Sequence, residues 1–134
     1  MVKKKLITPE ELDNLISVGD PQISPDGSQI LYTKRYVKDG VNRTTIWLAH
    51  TKGSKKSREL TANGKDSMPR WSPNGSQVAF VRNSDTGSQI FMIDMSGGEA
   101  IALTTFPEGT ISEIQWSPSG CCLAVSYRKT EEPY

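Results

Sequence analysis

Three copies of one turn set the terms on which this chain can fold. Ser24-Pro25-Asp26-Gly27-Ser28-Gln29-Ile30-Leu31-Tyr32 aligns with Ser72-Pro73-Asn74-Gly75-Ser76-Gln77-Val78-Ala79-Phe80. Both align with Ser117-Pro118-Ser119-Gly120-Cys121-Cys122-Leu123-Ala124-Val125, and the turn glycines stand 48 and 45 residues apart. Trp71 and Trp116 precede the serine in the second and third copies. A second element recurs between the turns: Thr45-Ile46-Trp47-Leu48 corresponds to Gln89-Ile90-Phe91-Met92. Each is followed by a polar, glycine-bearing loop and a short segment ending in Leu60-Thr61 or Leu103-Thr104. Self-similarity at a period of this size outranks any local propensity in deciding a fold.

Each repeat reads as about four short strands, the WD-like pattern of a propeller blade. In the turn, proline presets φ, the Asp or Asn side chain bonds nearby backbone, and glycine accepts positive φ. The next strand alternates, with Val78 and Phe80 on one face and Ala79 and Val81 on the other. Tyr32, Phe80, Trp47 and Phe91 fall at matching places and are expected to fill the space between neighbouring blades. The expected fold is all-β: a partial β-propeller of about two and a half four-stranded blades over residues 19–134, preceded by one short N-terminal α-helix within residues 1–18. Blade one is expected over 20–61, blade two over 66–104, and an incomplete blade three over 111–128. Closed propellers need about four to eight blades, so the chain is expected to stop inside a fold with an open strand edge. The helix is expected over 9–18. Thr8-Pro9-Glu10-Glu11 supplies an N-cap residue, proline at the first helical position and a capping-box glutamate, and Leu12, Leu15 and Ile16 follow at helical spacing.

Composition narrows the function. The chain has 134 residues, enough for one domain, with 16 basic and 15 acidic side chains. A net charge of +1 supplies no field for nucleic acid. The basic excess lies in the first 60 residues, in Lys3-Lys4-Lys5 and between Lys52 and Arg58, without interleaved aromatics, and reads as a solvated surface. No apolar run suits a signal peptide or a membrane span, so the expected location is the cytoplasm and no membrane partner is expected. Asn42-Arg43-Thr44 and Asn74-Gly75-Ser76 then read as turns, not glycosylation sites.

The flanking residues resemble the start of a prolyl oligopeptidase family serine peptidase, in the branch of acylaminoacyl and dipeptidyl peptidases. The resemblance rests on Ile7-Thr8-Pro9-Glu10-Glu11-Leu12, on Val18-Gly19-Asp20-Pro21-Gln22-Ile23-Ser24-Pro25-Asp26-Gly27, and on Leu60-Thr61 with Lys65-Asp66-Ser67-Met68-Pro69-Arg70-Trp71-Ser72-Pro73. It covers essentially the whole chain. It implies an N-terminal seven- or eight-bladed propeller followed by an α/β-hydrolase domain. The propeller would cover the active site and admit peptides but not folded proteins. The same turn also occurs in Tol-type periplasmic propellers.

No catalytic residue of that family transfers to this chain. The family nucleophile sits in a Gly-x-Ser-x-Gly elbow, and the chain has no such pentapeptide. The nearest match, Asp94-Met95-Ser96-Gly97-Gly98, is expected to be a turn. The triad needs Ser, Asp and His in that order, yet the one histidine, His50, precedes Ser96. Cys121-Cys122 lacks the further ligands a metal would need; a vicinal disulfide or a redox sensor is the alternative, but no basic partner or helix N-terminus is near in sequence, and the pair reads as two small residues in a strand, pointing to opposite faces. Asp26, Asp39, Asp66 and Asp85 show no calcium-loop spacing and read as solvated turn residues. Gly97-Gly98 is not a phosphate loop, and Trp47, Trp71 and Trp116 read as blade packing. The expected site list is therefore empty: no catalytic residue, no cofactor and no metal.

Two functions stay open. One is a non-catalytic propeller portion of a peptidase, whose partner is a missing C-terminal α/β-hydrolase domain and whose full-length form hydrolyses short peptides. The other is a non-enzymatic interaction module or Tol-type scaffold that self-associates through open blade edges. In a monomeric chain Ile111 to Arg128 leaves an unpaired edge, and truncation near Pro107 is then expected to improve solubility.

Overall fold

The computed structural model describes residues 15–131. Among them every regular element is a β-strand, and no helix is long and apolar enough to cross a membrane. The strands form three antiparallel sheets in chain order. The first contains β1 (Ser17–Ile23), β2 (Gln29–Lys38), β3 (Val41–His50) and β4 (Arg58–Thr61). The second contains β5 (Asp66–Trp71), β6 (Gln77–Ser84), β7 (Gly87–Asp94) and β8 (Ile101–Ala102). The third pairs β9 (Gly109–Trp116) with β10 (Leu123–Lys129).

The repeated turn joins the first two strands of each sheet. Gly27 and Gly75 donate to the carbonyls of Ser24 and Ser72 at 2.9 and 2.8 Å. Both glycines adopt positive φ, 74° and 73°. The buried hydroxyl of Ser24 donates to Asp26 (2.7 Å) and accepts from the Gln29 N–H (3.0 Å). Ser72 does the same with Asn74 and Gln77, at 2.9 and 3.0 Å. The serine is thus selected because one oxygen satisfies both sides of the turn. The closing Leu-Thr signature also has a physical role. Thr61 Oγ1 accepts from the Ile46 N–H (3.4 Å), and Thr104 Oγ1 from the Ile90 N–H (2.9 Å). Each threonine holds the outermost segment of its sheet onto the third strand.

The core lies between sheets. Leu31, Ile46 and Leu48 of the first sheet meet Val78, Phe80 and Ile93 of the second. Ala79, Val81 and Ile90, on the other face of the second sheet, meet Ile111 and Ile114 of the third. The alternation along β6 therefore feeds two joints, as its period of two dictates. Each fully buried side chain of this size contributes about 1.5–3 kcal/mol, so neighbouring sheets depend on each other for stability.

Several sequence expectations need correction. The helix expected over 9–18 lies outside the described residues up to Asn14. Leu15 and Ile16 carry no regular structure, and Ser17-Val18 already belong to β1. β6 and β7 meet in a tight hairpin at Asp85-Thr86, where Asn83 and Ser88, and Ser84 and Gly87, pair directly. Among the described residues one aromatic pair stands between two blades. Phe80 and Phe91 pack in the first joint with ring centroids 6.1 Å apart. Tyr32 and Trp47 face the opposite way, because their neighbours Leu31, Ile46 and Leu48 occupy the joint. Asp66 is not a solvated turn residue. It is fully buried in β5, and its two oxygens take Arg82 Nε and Nη2 at 2.7 and 3.1 Å.

Candidate functional site at the inter-sheet joints

Two contacts repeat at each joint. Trp71 Nε1–H donates to the Gln22 carbonyl at 2.9 Å, and Trp116 Nε1–H donates to the Arg70 carbonyl at 3.0 Å. Gln22 and Arg70 occupy the same place, two residues before the turn serine. Beside each indole the turn glycine of one sheet approaches the turn proline of the sheet before it. A Cβ on Gly75 would lie 3.5 Å from Pro25 Cδ, and one on Gly120 would lie 3.5 Å from Pro73 Cδ. Tryptophan, glycine and proline thus form one connector between consecutive repeats.

Arg70 ties the three sheets together. Its Nη1 donates to Asp20 of the first sheet at 2.9 Å, and its Nη2 to Glu113 of the third at 3.3 Å. Nη1 also reaches the Pro69 carbonyl at 2.8 Å. The guanidinium is mostly covered, whereas the Glu113 side chain is 59% exposed. The Asp20 contact is therefore the stronger of the two, and the exposed one contributes at most about 1 kcal/mol. Arg70 also borders a groove of about 460 Å³ with Gln22, Pro25, Trp71, Glu113 and Trp116. Of the strands that bring these groups together, β5 packs between β1 and β9 across the sheets. The groove offers a guanidinium, a carboxylate and backbone carbonyls, a set that can bind polar or peptide groups by hydrogen bonding.

The residues singled out in the sequence stand elsewhere. Ser96 lies in the β7–β8 turn, where its N–H and hydroxyl donate to Asp94 at 2.8 and 2.6 Å. Those two bonds, the hydroxyl first, hold the Asp94 carboxyl below the usual carboxylate range. His50 ends β3 opposite Gln29, in a different sheet from Ser96. Cys121 and Cys122 precede β10, so strand alternation does not separate them, and their sulfurs lie 3.5 Å apart. Of the three tryptophans, Trp71 and Trp116 serve the joints. Trp47 donates to Thr45 Oγ1 (3.1 Å) and carries Lys34 Nζ 3.6 Å from its ring. Among the described residues no three His, Cys, Asp or Glu side chains form a metal-binding group. Sequence reasoning missed the Asp20–Arg70–Glu113 bridge. The alignment did hold a signal, since Arg70 falls in register with Gln22 and Gln115.

Repetition of the connector from one antiparallel sheet to the next is propeller geometry, and the family comparison agrees. The model described as "TolB beta propeller domain" matches residues 12–133. The chain belongs to the TolB beta propeller domain family. As a TolB-type propeller it is 35% identical over 126 residues to a Bacillus subtilis protein named "Uncharacterized peptidase YuxL", covering 92% of this chain but 19% of that one. The acylaminoacyl peptidase structure from Pyrococcus horikoshii superposes with a TM-score of 0.67 at 24% identity, over 85% of this chain and 17% of that one. The structure of TolB from Acinetobacter baumannii superposes with a TM-score of 0.68 at 21% identity, over 84% of this chain and 27% of that one. The two structural likenesses show the fold alone. The chain spans about a fifth of the length of its Bacillus relative.

Proposed function

We propose that this TolB-type propeller segment serves as the N-terminal, non-catalytic portion of a prolyl oligopeptidase-like serine peptidase, and that it gates peptide access to a hydrolase domain carried elsewhere in the protein. The observation that supports this most is the 35% identity to a protein named a peptidase, spread over 92% of the chain. In this reading β1, β5 and β9 line the passage, and the Asp20–Arg70–Glu113 bridge stands on its wall. The connector extends to the repeat that would follow. Gln115 stands where Gln22 and Arg70 accept an indole, and Pro118 where Pro25 and Pro73 meet a glycine. A following blade would therefore bring a tryptophan to the Gln115 carbonyl and a glycine to the Pro118 ring.

The second reading is a non-enzymatic TolB-type scaffold that binds other proteins or completes its ring by self-association. It is favoured by the family's own description. Reading the coding DNA past codon 134 separates the two. Further repeats followed by Gly-x-Ser-x-Gly, then Asp, then His support the peptidase portion. A frame that ends in repeats alone overturns it in favour of the scaffold. The purified chain is expected to release no product from peptidyl chromogenic substrates, and turnover by it would refute the non-catalytic assignment.

A further inference from the structure

The third copy of the turn departs from the other two in one chemical respect. Ser28 and Ser76 each donate a hydroxyl to the Asx residue two positions back, at 2.7 and 2.8 Å. In the third copy that serine is Cys121 and the Asx is Ser119, whose hydroxyl lies 2.9 Å from Cys121 Sγ. A second hydroxyl, that of Ser117, lies 4.0 Å from the same sulfur. Cys122 takes the place of Gln29 and Gln77, and its Sγ stands 3.5 Å from that of Cys121. Both thiols are exposed. Both also border a cleft of about 470 Å³ with Met92, Leu103, Trp116 and Leu123. The connector and the bridge use neither sulfur.

We propose that Cys121 and Cys122 form a thiol–disulfide exchange site for low-molecular-weight disulfides, with Cys121 the attacking sulfur and Cys122 the resolving one. The roles follow from the surroundings. Hydroxyls that point at a sulfur stabilise its thiolate, which is the nucleophile. Cys121 has the hydroxyls of Ser119 and Ser117 beside it, and these contacts, together with the one from Cys122, hold its thiol below the ordinary range. Hydrogen bonding to Cys121 and the charge that Cys121 takes on push the Cys122 thiol up.

The exchange balances without a metal or a reductant. The Cys121 thiolate attacks one sulfur of the small disulfide. A protein–small-molecule disulfide forms, the original S–S bond breaks, and one small thiolate leaves. Cys122 loses its proton to water, and its sulfur attacks Cys121 Sγ and expels the second small thiolate. The protein loses two protons and two electrons, and the small disulfide is reduced to two thiols. The sulfurs close from 3.5 Å to the bonded separation of about 2.05 Å. The product joins adjacent residues and is exposed, a setting in which disulfides are readily reduced again. The site therefore works as a reversible couple.

The test treats the reduced full chain with glutathione disulfide and follows the intact mass. The wild-type chain is expected to pass through a transient glutathione adduct to a monomer lighter by two hydrogens. Cys122→Ser is expected to stop at a stable adduct, because no resolving sulfur remains. Cys121→Ser, which restores the serine of the other two copies, is expected to react at least about tenfold more slowly. Equal rates for the two single variants would overturn the assignment of roles. A wild-type adduct as persistent as that of Cys122→Ser, or conversion to a disulfide-linked dimer, would overturn the exchange site. This inference does not rest on the peptidase reading.

Discussion

The indole N–H of Trp116 reaches across a sheet boundary to the carbonyl of Arg70 at 3.0 Å, and the same residue's guanidinium bridges Asp20 and Glu113 on the two flanking sheets. One residue thus serves both the connector and the bridge. Trp116→Phe keeps most of the packing and removes the donor, at an expected cost of about 1 kcal/mol. Trp71→Phe removes the equivalent bond to Gln22 and should cost a similar amount. Urea unfolding of both variants checks this. A joint that tolerates the loss without change would show that the bond is incidental to the packing.

Asp66 and Arg82 should behave as a buried ion pair. The carboxylate has no exposed surface, and the guanidinium also lies 4.4 Å from the Phe91 ring. Asp66→Ala leaves the arginine without its partner and is expected to destabilise by about 3–5 kcal/mol. Arg82→Lys should not compensate fully, because an ammonium cannot make the two-point contact. Denaturant midpoints of the two variants provide the measurement.

Acid should loosen the first turn before the second. Asp26 accepts the Ser24 hydroxyl, the Ser28 N–H and the Ser28 hydroxyl, which hold its carboxyl down at about 2 from an ordinary 3.8. A carboxyl lowered on folding contributes stability that is complete above its unfolded value. That contribution falls away as pH drops through 3.8 towards about 2. Asp26→Asn copies the neutral Asn74 of the second turn and should remove this part of the acid sensitivity. NMR titration of the Asp26 carboxyl, with acid unfolding of both forms, tests the assignment. A midpoint at the ordinary value would refute it.

Truncation near Pro107 now has the opposite expected outcome. The third sheet covers Ala79, Val81 and Ile90 with Ile111 and Ile114. Tyr127 also packs on Phe106 and donates to the Pro107 carbonyl. Removing residues after 107 exchanges one free strand edge, on β10, for an exposed apolar face. Soluble yield and light scattering are expected to worsen. An improvement would show that the β10 edge dominates aggregation.

Much of the fold was legible in the amino-acid order because it is local and repeated. Ser-Pro-Asx-Gly specifies its turn through bonds that span five residues or fewer, and alternation along residues 78–81 specifies two buried faces. The propeller architecture followed from the same periodicity. What stayed hidden depends on residues brought together from far apart. Asp66 looked like a turn residue until Arg82, 16 positions later, was placed against it. The bridge joins positions 20, 70 and 113, and only the stacking of three sheets makes them neighbours. Cys121 and Cys122 were expected on opposite faces, but the sulfurs meet because β10 begins one residue later. The sequence by itself determined the repeat, its turns and its alternating faces, since these need only short-range geometry and a period of two. The tertiary structure decided which charges pair, which aromatics are covered and which sulfurs meet, since those depend on how one sheet sits against the next.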